Sequence, residues 1–198
     1  MKIWQEKEAP TEAQIKSLQT DLDLDLSILK LLIQRGVDTF EKAKSFFKPS
    51  LDQLHDPYLM KDMDNAVQRV SQAREKAERI MIYGDYDVDG TTSVALLANF
   101  LSPHYDNFVT YIPDRYKEGY GVSLRGIDVA HAEGVKLIIA LDCGIKALKQ
   151  VEYAKQKGID FIICDHHTPG KELPEAAAIL DPKRKDCAYP YKGLSGCG

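Results

Sequence analysis

Acidic residues and histidines follow short apolar stretches at four places in the second half of the chain. Carboxylate oxygens and imidazole nitrogens can bind a divalent cation, move a proton or position a phosphate. Taken singly, each aspartate is equally typical of a turn or a helix N-cap, and each histidine of an ordinary core or surface position. The four groups are Asp85 with Asp87 and Asp89, Asp114, Asp142, and Asp165 with His166 and His167.

The elements that would position these residues alternate between β-rich and helical patterns from residue 80 onward. Strand and helix in alternation are typical of an α/β fold with a parallel sheet flanked by helices. Near-continuous apolar runs such as the one at 137–141 suit strands buried on both faces. The predicted strands are 80–83, 108–112, 137–141, 161–164 and 178–180, and the predicted helices between them are 92–100, 124–133 and 145–157.

Residues 1–79 have a different pattern, with apolar residues at helical spacing. Ile28 to Ile33 crowd in this way, and Gly36 follows as a helix-ending glycine. Amphipathic stripes of this kind normally build a core. We therefore predict a small helical N-terminal region over 1–79 and a sheet domain over 80–198.

The carboxyl ends of parallel strands lie at one edge of a sheet, which is where ligands bind in open α/β folds. The aspartates at 85, 87 and 89 would point to one side if that segment were extended. Carboxylates gathered at one place repel each other and resist burial unless a cation holds them. Oxygen ligands joined by imidazole suit Mn²⁺ or Mg²⁺, so the sequence predicts a metal site there.

Composition and charge exclude some classes of protein. The chain has 198 residues, 44% of them hydrophobic, and a formal net charge of −4, which argues against binding a polyanion over its whole surface. A local basic groove or a metal-bridged phosphate stays open. No apolar run is long enough for a membrane span or a signal peptide. The four cysteines form no C-x-x-C pair, so a cytoplasmic protein without membrane contact is expected.

GDYDVDG, LDCG and DHH, in this order, resemble the DHH phosphoesterases. The longer GDYDVDGTTS, the segment YIPDRYKEGYG, the final LSGCG and the helical prelude are similar to one branch, the RecJ exonucleases. The resemblance covers nearly the whole chain. It implies a metal-dependent enzyme that hydrolyses phosphodiester bonds of single-stranded DNA from 5′ to 3′, using two Mn²⁺ or Mg²⁺ ions, in recombination and repair. Single-strand-binding protein and repair helicases are the implied partners.

The same resemblance implies roles for individual residues. The metal ligands would be Asp85, Asp87, Asp142 and His166, with Asp142 as the bridge between two ions. Asp165 and His167 would support His166 or touch the phosphate, so the catalytic set is Asp142, Asp165, His166 and His167. Asp89 is expected either as a ligand or as a support. Candidate substrate contacts are Arg115 and Lys117 for phosphates and Tyr116 and Tyr120 for bases.

Two departures from the family pattern leave alternatives open. Met81 stands where many smaller DHH enzymes carry a histidine, and a further ligand aspartate expected after the LSG segment is not reached before Gly198. The chain is therefore expected to be an N-terminal fragment of a longer nuclease, with a DHH domain truncated at its C-terminus. The alternatives are a DHH phosphodiesterase acting on short oligonucleotides or cyclic dinucleotides, and an inactive DHH scaffold.

Overall fold

The computed structural model describes residues 3–198, and the chain divides into two compact units, Met1–Leu54 and His55–Gly198. The first unit is helical. Leu18 and Leu29 are buried at its core, and Thr11 begins its first helix with a capping box that includes Gln14. Its helices are α1 (Glu12–Asp21), α2 (Leu26–Gln34) and α3 (Phe40–Phe47), followed by a short 3₁₀ helix, Leu51–Gln53.

The second unit begins with a helix and continues as alternating strands and helices. Its elements are α4 (Met63–Glu75), β1 (Arg79–Gly84), α5 (Val88–Leu101), β2 (Phe108–Tyr111), α6 (Leu124–Ala132), β3 (Val135–Leu141), α7 (Leu148–Gln156), β4 (Asp160–Cys164) and β5 (Ala178–Leu180). A 3₁₀ helix, Pro57–Leu59, precedes α4. Within residues 3–198, no helix is both long enough and apolar enough to cross a membrane.

The five strands form one sheet in the order β2-β1-β3-β4-β5, and every neighbouring pair is parallel. The predicted α/β fold, a parallel sheet flanked by helices after a small helical region, is confirmed. The order reverses direction between β1 and β3, which makes their carboxyl ends the switch point where such sheets bind ligands.

Both faces of the sheet are buried, as its uniformly apolar strands require. Alternate residues of each strand point to opposite faces, so Met81 and Tyr83 pack with α6 and α7, whereas Ile80 and Ile82 pack with α4 and α5. Each layer holds the strands in register, and the strand ends therefore form a common edge.

Two local features differ from the sequence-based expectations. Helix α5 begins at Val88 rather than at residue 92, because the Asp87 carboxylate caps it by accepting the N–H of Gly90 at 3.0 Å. The aspartate segment is consequently not extended, so the condition on which its three carboxylates would point to one side is not met. Helix α4 packs on the sheet, so the compact units divide after Leu54 whereas the sequence-based division falls after residue 79.

Candidate metal centre at the carboxyl edge of the sheet

Asp85 and Asp142 follow the paired ends of β1 and β3, where Gly84 lies opposite Leu141. Neighbouring strands run about 4.8 Å apart, so the two carboxylates occupy adjacent places at the switch point. Both residues are buried, with exposures of 0% and 1%. Burying two carboxylates at neighbouring strand ends is unfavourable unless protons, hydrogen bonds or a cation compensate their charges.

The backbone at Asp142 is strained in a way that aims its side chain. Its φ of 60° lies in the left-handed region, which residues other than glycine seldom adopt. The N–H of Asp142 donates to the carbonyl of Cys164 at 2.8 Å, which holds this conformation against β4. Strain held by surrounding structure is characteristic of functional sites.

His166 is oriented by a contact far along the chain. Its Nδ1 lies 2.9 Å from the carbonyl oxygen of Leu194. A carbonyl can only accept, so Nδ1 carries the proton and a neutral His166 has its lone pair on Nε2. That Nε2 lies 3.2 Å from Oδ1 of Asp142. With the imidazole neutral and the carboxyl ionised, Nε2 and Oδ1 face each other as two acceptors, which is the arrangement that a cation completes.

Two buried carboxylate oxygens without hydrogen-bond partners in residues 3–198 also indicate a cation site. Oδ1 of Asp142 and Oδ2 of Asp85 are buried and accept no hydrogen bond from the described residues. Potential ligand atoms of Asp142, His166 and His167 all lie within 4.8 Å of one another. A mixed set of carboxylate oxygens and imidazole fits Mn²⁺ or Mg²⁺, so the residues present suit the metal that the sequence predicts.

The pKa values of the Asp85 and Asp142 carboxyls are raised. Burial raises the pKa of Asp142 to about 6, with the charge of Asp87 adding to the effect and the two histidines opposing it. Burial, followed by the charge of Asp87, also raises the pKa of Asp85. Asp87 is itself exposed, and its charge lies close enough to raise the pKa of both carboxyls. It is thereby the third carboxylate brought to the cluster.

Asp165 organises the histidine pair. It accepts the backbone N–H groups of His166, His167 and Ile145, at 2.7, 3.0 and 2.9 Å, and Nδ1–H of His167 at 2.7 Å. Burial acts to raise its pKa, but the hydrogen bonds from His167 and Ile145 outweigh burial and lower it. Asp165 is therefore a charged acceptor that orients the His167 imidazole and the backbone of the histidine pair rather than a group facing the cluster.

Tyr120 reaches the cluster with its hydroxyl. The hydroxyl lies 3.1 Å from Nε2 of His167, and because Nδ1 of that ring donates to Asp165, the tyrosine is the donor. Burial raises the pKa of Tyr120, and the negative charges of Asp85 and Asp142 raise it further. The phenol therefore keeps its proton and acts as a neutral donor. Its stacking on a base stays a prediction.

Among the described residues, the other loop residues predicted to contact substrate form no hydrogen bond with the carboxylates of the cluster. The guanidinium of Arg115 stacks 5.3 Å from the ring centre of Tyr86. Tyr116 is 94% exposed. Asp114, which the strand-end pattern grouped with the other acids, accepts the backbone N–H groups of Tyr116 and Lys117 at 2.9 and 3.1 Å. It is a turn residue, and no ligand role follows from its position.

The positions of Asp89 and Met81 bear on two questions that the sequence left open: whether Asp89 is a ligand or a support, and what stands at the position of Met81. Oδ2 of Asp89 accepts the N–H of Gly196 at 2.9 Å, so this carboxylate contacts the LSG segment. Met81 points into the core and is 1% exposed, so it offers no ligand to the cluster.

Sequence reasoning missed Asp181 and the two backbone groups of the LSG segment. Asp181 follows β5, is fully buried and has an unpartnered Oδ2. Burial raises its pKa. The same pattern of strand followed by aspartate could have identified it. The carbonyl of Leu194 and the N–H of Gly196 left no side-chain signal in the sequence.

The sequence of this chain is similar to a known protein family and to individual members of it. A family model described as "DHH family, N-terminal domain" matches residues 79–198. The single-stranded-DNA-specific exonuclease RecJ of Bacillus subtilis is 42% identical over 193 residues, which is 98% of this chain and 25% of that protein. The RecJ of Escherichia coli is 36% identical over 181 residues, 90% of this chain and 31% of its own length.

Two solved structures are similar in fold. A crystal structure of exonuclease RecJ bound to manganese aligns with a TM-score of 0.63 and 31% identity, over 70% of this chain and 35% of that chain. RecJ from Thermus thermophilus in complex with Mn²⁺ aligns with a TM-score of 0.66 and 25% identity, over 95% of this chain and 26% of that chain. This chain thus spans about a quarter to a third of the length of these relatives.

The fold and the site define a parallel-sheet protein with a carboxylate and histidine cluster at its switch point. The chain belongs to the DHH family. Its relatives by sequence and by structure are RecJ exonucleases, so the recognition made from the motifs is confirmed.

Proposed function

We propose that this chain carries the metal-binding and phosphodiester-hydrolysing site of a 5′-to-3′ exonuclease specific for single-stranded DNA. The observation that carries the proposal is the pair of facing acceptors, Nε2 of His166 and Oδ1 of Asp142, 3.2 Å apart. The relatives that share this chain's sequence are named as single-stranded-DNA-specific exonucleases, which supplies the substrate class.

The residues that would hold Mn²⁺ or Mg²⁺ are Asp85, Asp87, Asp142 and His166, in a centre for two ions. Asp142 would be the central ligand, because its carboxylate offers two oxygens and lies beside His166 and His167. Divalent ions at such a centre would supply Lewis-acid chemistry, polarising the phosphoryl group and making water more acidic.

Other residues of the site would orient the histidines, donate hydrogen bonds and contact the substrate. Asp165 holds the imidazole of His167 through its Nδ1–H, and it fixes the backbone of His166, His167 and Ile145 by accepting their N–H groups. The Tyr120 hydroxyl, which keeps its proton, can donate to a phosphoryl oxygen in place of His167. Arg115 and Lys117, exposed on the same loop, are available to neutralise neighbouring phosphates, and Tyr116 to stack on a base.

The finer expectations rest on the sequence resemblance. A role in recombination and repair, a cytoplasmic location, and single-strand-binding protein and helicase partners all stay predictions. The matched relatives extend well beyond the region they share with this chain, so full activity is a proposal about the whole protein.

Metal titration of the 198-residue chain tests the first half of the proposal. Calorimetry with Mn²⁺ should show binding that Asp142→Asn abolishes. Asp114→Asn is the matched control, since it changes a strand-end aspartate outside the cluster and should leave the affinity unchanged. Absence of binding, or binding that Asp142→Asn leaves intact, would remove the metal centre from the proposal.

A cleavage assay with the whole protein tests the second half of the proposal, which is the hydrolysis of single-stranded DNA. Single-stranded DNA labelled at its 5′ end should release labelled mononucleotides in Mn²⁺, and a blunt duplex should resist. Cleavage of dinucleotides or cyclic dinucleotides without attack on the long strand would favour the other DHH activity. Metal binding with no cleavage of any substrate would favour a scaffold.

A further inference from the structure

Two regions of the chain far apart in sequence are joined directly beside the metal centre. The LSG segment, residues 194–196, is irregular backbone near the end of the described chain. Asp89, in the first turn of α5, accepts the N–H of Gly196 at 2.9 Å. The hydroxyl of Ser93, one turn further along the same helix, lies 3.3 Å from the carbonyl of Gly196. Helix α5 therefore anchors this segment.

Gly196 also touches the cluster itself. A Cβ built on Gly196 would overlap both Oδ1 and Cγ of Asp142. Real side chains do not approach this closely, so only glycine lets the segment pass over the Asp142 carboxylate. The segment thus lies against the residue proposed to bridge the ions.

The segment in turn determines which nitrogen of His166 is available. The Leu194 carbonyl accepts from Nδ1 at 2.9 Å, which leaves the lone pair on Nε2. If that contact were lost, the ring could carry its proton on Nε2. Nε2–H would then donate to Oδ1 of Asp142, 3.2 Å away, and both acceptors would be used up.

We propose that Asp89 is a positioning residue that acts on His166 through the LSG segment. Asp89 holds Gly196, the adjoining backbone holds the Leu194 carbonyl, and that carbonyl selects the imidazole tautomer that offers Nε2 to the cluster. This gives Asp89 a function distinct from ligation, and it makes α5 and the histidine motif interdependent. Partners that orient a ligating imidazole typically affect metal affinity about 10- to 100-fold.

The first measurement needs no metal and does not rest on the proposed function. Long-range ¹H–¹⁵N correlation spectra of the metal-free chain at alkaline pH report which ring nitrogen of each histidine is protonated. The His166 signals are assigned by their loss in His166→Gln. The wild-type chain should show Nδ1–H at His166, and Asp89→Ala should shift the ring wholly or partly to Nε2–H. Asp89→Asn should retain the wild-type pattern, because its amide oxygen can still accept from Gly196.

Asp64→Ala is the matched control, since Asp64 is an exposed acidic residue in the first turn of another helix, α4. It should leave the His166 tautomer unchanged. Asp89→Ser provides a second variant in case Asp89→Ala fails to fold, since its shorter side chain withdraws the acceptor from Gly196, and it should shift the His166 tautomer in the same direction. Nε2–H at His166 in the wild-type chain, or an unchanged tautomer in folded Asp89→Ala, overturns the proposal.

The second measurement is Mn²⁺ affinity by calorimetry, and this arm rests on the proposed function. Asp89→Ala should weaken binding about 10- to 100-fold, whereas Asp89→Asn and Asp64→Ala should bind like the wild-type chain. Equal affinity of Asp89→Ala and wild type overturns the positioning function. A wild-type chain that binds no Mn²⁺ contradicts the proposed function alone, because the tautomer measurement still decides the positioning of His166.

Discussion

Asp87 caps α5 and Asp142 directly follows β3, yet the negative charge of Asp87 lies close enough to raise the pKa of the Asp142 carboxyl. Two ionised carboxylates repel each other, so the metal-free site favours a proton on one of them. A divalent cation would replace that proton and satisfy both groups. The ionised, metal-free site is therefore expected to destabilise the second unit above neutral pH.

Asp142→Asn should separate stability from metal binding. Burial raises the pKa of Asp142 from 3.8 to about 6, so the charged form destabilises the metal-free fold. One pKa unit equals about 1.4 kcal/mol, and removing the charge should stabilise the metal-free chain by up to about 3 kcal/mol above neutral pH. Thermal melts should show a higher midpoint for the variant without Mn²⁺ and no further rise when Mn²⁺ is added. A wild-type and variant pair with equal responses to Mn²⁺ would contradict this expectation.

The raised pKa of the Asp142 carboxyl also predicts how the free energy of unfolding depends on pH. The folded chain holds a proton on Asp142 up to about pH 6, whereas the unfolded chain releases it near 3.8. The folded state binds more protons between these values, so this contribution to the free energy of unfolding falls as pH rises from about 4 to about 6. Denaturant titrations of wild type and Asp142→Asn across this range isolate the contribution by difference. A difference independent of pH would show that the Asp142 pKa is unshifted.

Asp165→Asn should destabilise the fold and disorder the histidine pair. The carboxylate accepts four hydrogen bonds, and an amide oxygen cannot replace both carboxylate oxygens. The expected loss is about 1–3 kcal/mol of unfolding free energy, measured by urea denaturation. Because the pKa of Asp165 is lowered, this stabilisation is present above the ordinary carboxylate range and lost as pH falls through the lowered value.

Asp128→Asn is the comparison for Asp165. Asp128 pairs with Lys157 on the surface with its side chain 54% exposed, so its loss should cost less than about 1 kcal/mol. Similar losses for the two variants would mean that the hydrogen bonds of Asp165 contribute little.

Tyr120→Phe should reduce cleavage without changing metal affinity. The variant keeps the aromatic ring and removes the hydroxyl that donates to Nε2 of His167. A donor to a charged group contributes about 1.5–3 kcal/mol, so the initial rate of nucleotide release should fall about 10- to 100-fold. Calorimetry with Mn²⁺ should match the wild-type chain. Tyr58→Phe is the control, because Tyr58 is 57% exposed and Tyr120 is 56% exposed.

Asp181→Asn should stabilise the chain and leave Mn²⁺ affinity unchanged. Asp181 is fully buried with an unpartnered Oδ2, and burial raises its pKa. Replacing the carboxylate with an amide removes a buried charge while keeping an acceptor for the Lys183 N–H. Thermal melts at neutral pH should show a higher midpoint. Weaker Mn²⁺ binding by the variant would instead make Asp181 part of the metal centre.

The strands and the core were predictable from the sequence because their signals are local. Uniformly apolar runs predicted all five strands to within a few residues, and the alternation with helices predicted the parallel sheet. The position of Asp142 and of the histidine pair directly after apolar strands was enough to place them at one edge. Helix α5 begins earlier than the sequence predicted because Asp87 caps it, whereas the sequence analysis treated that segment as extended.

The sequence by itself determined which acids and histidines stand at strand ends, since that depends only on where each apolar run stops. The tertiary structure alone decided that β1 and β3 are neighbours, that Asp114 is a turn residue, and that Asp89 meets Gly196 across 107 residues of chain. Strand order, the left-handed backbone at Asp142 and the protonated nitrogen of His166 depend on contacts between distant segments. Packing and hydrogen bonding of the whole fold set those contacts, and neighbouring residues in the sequence do not encode them.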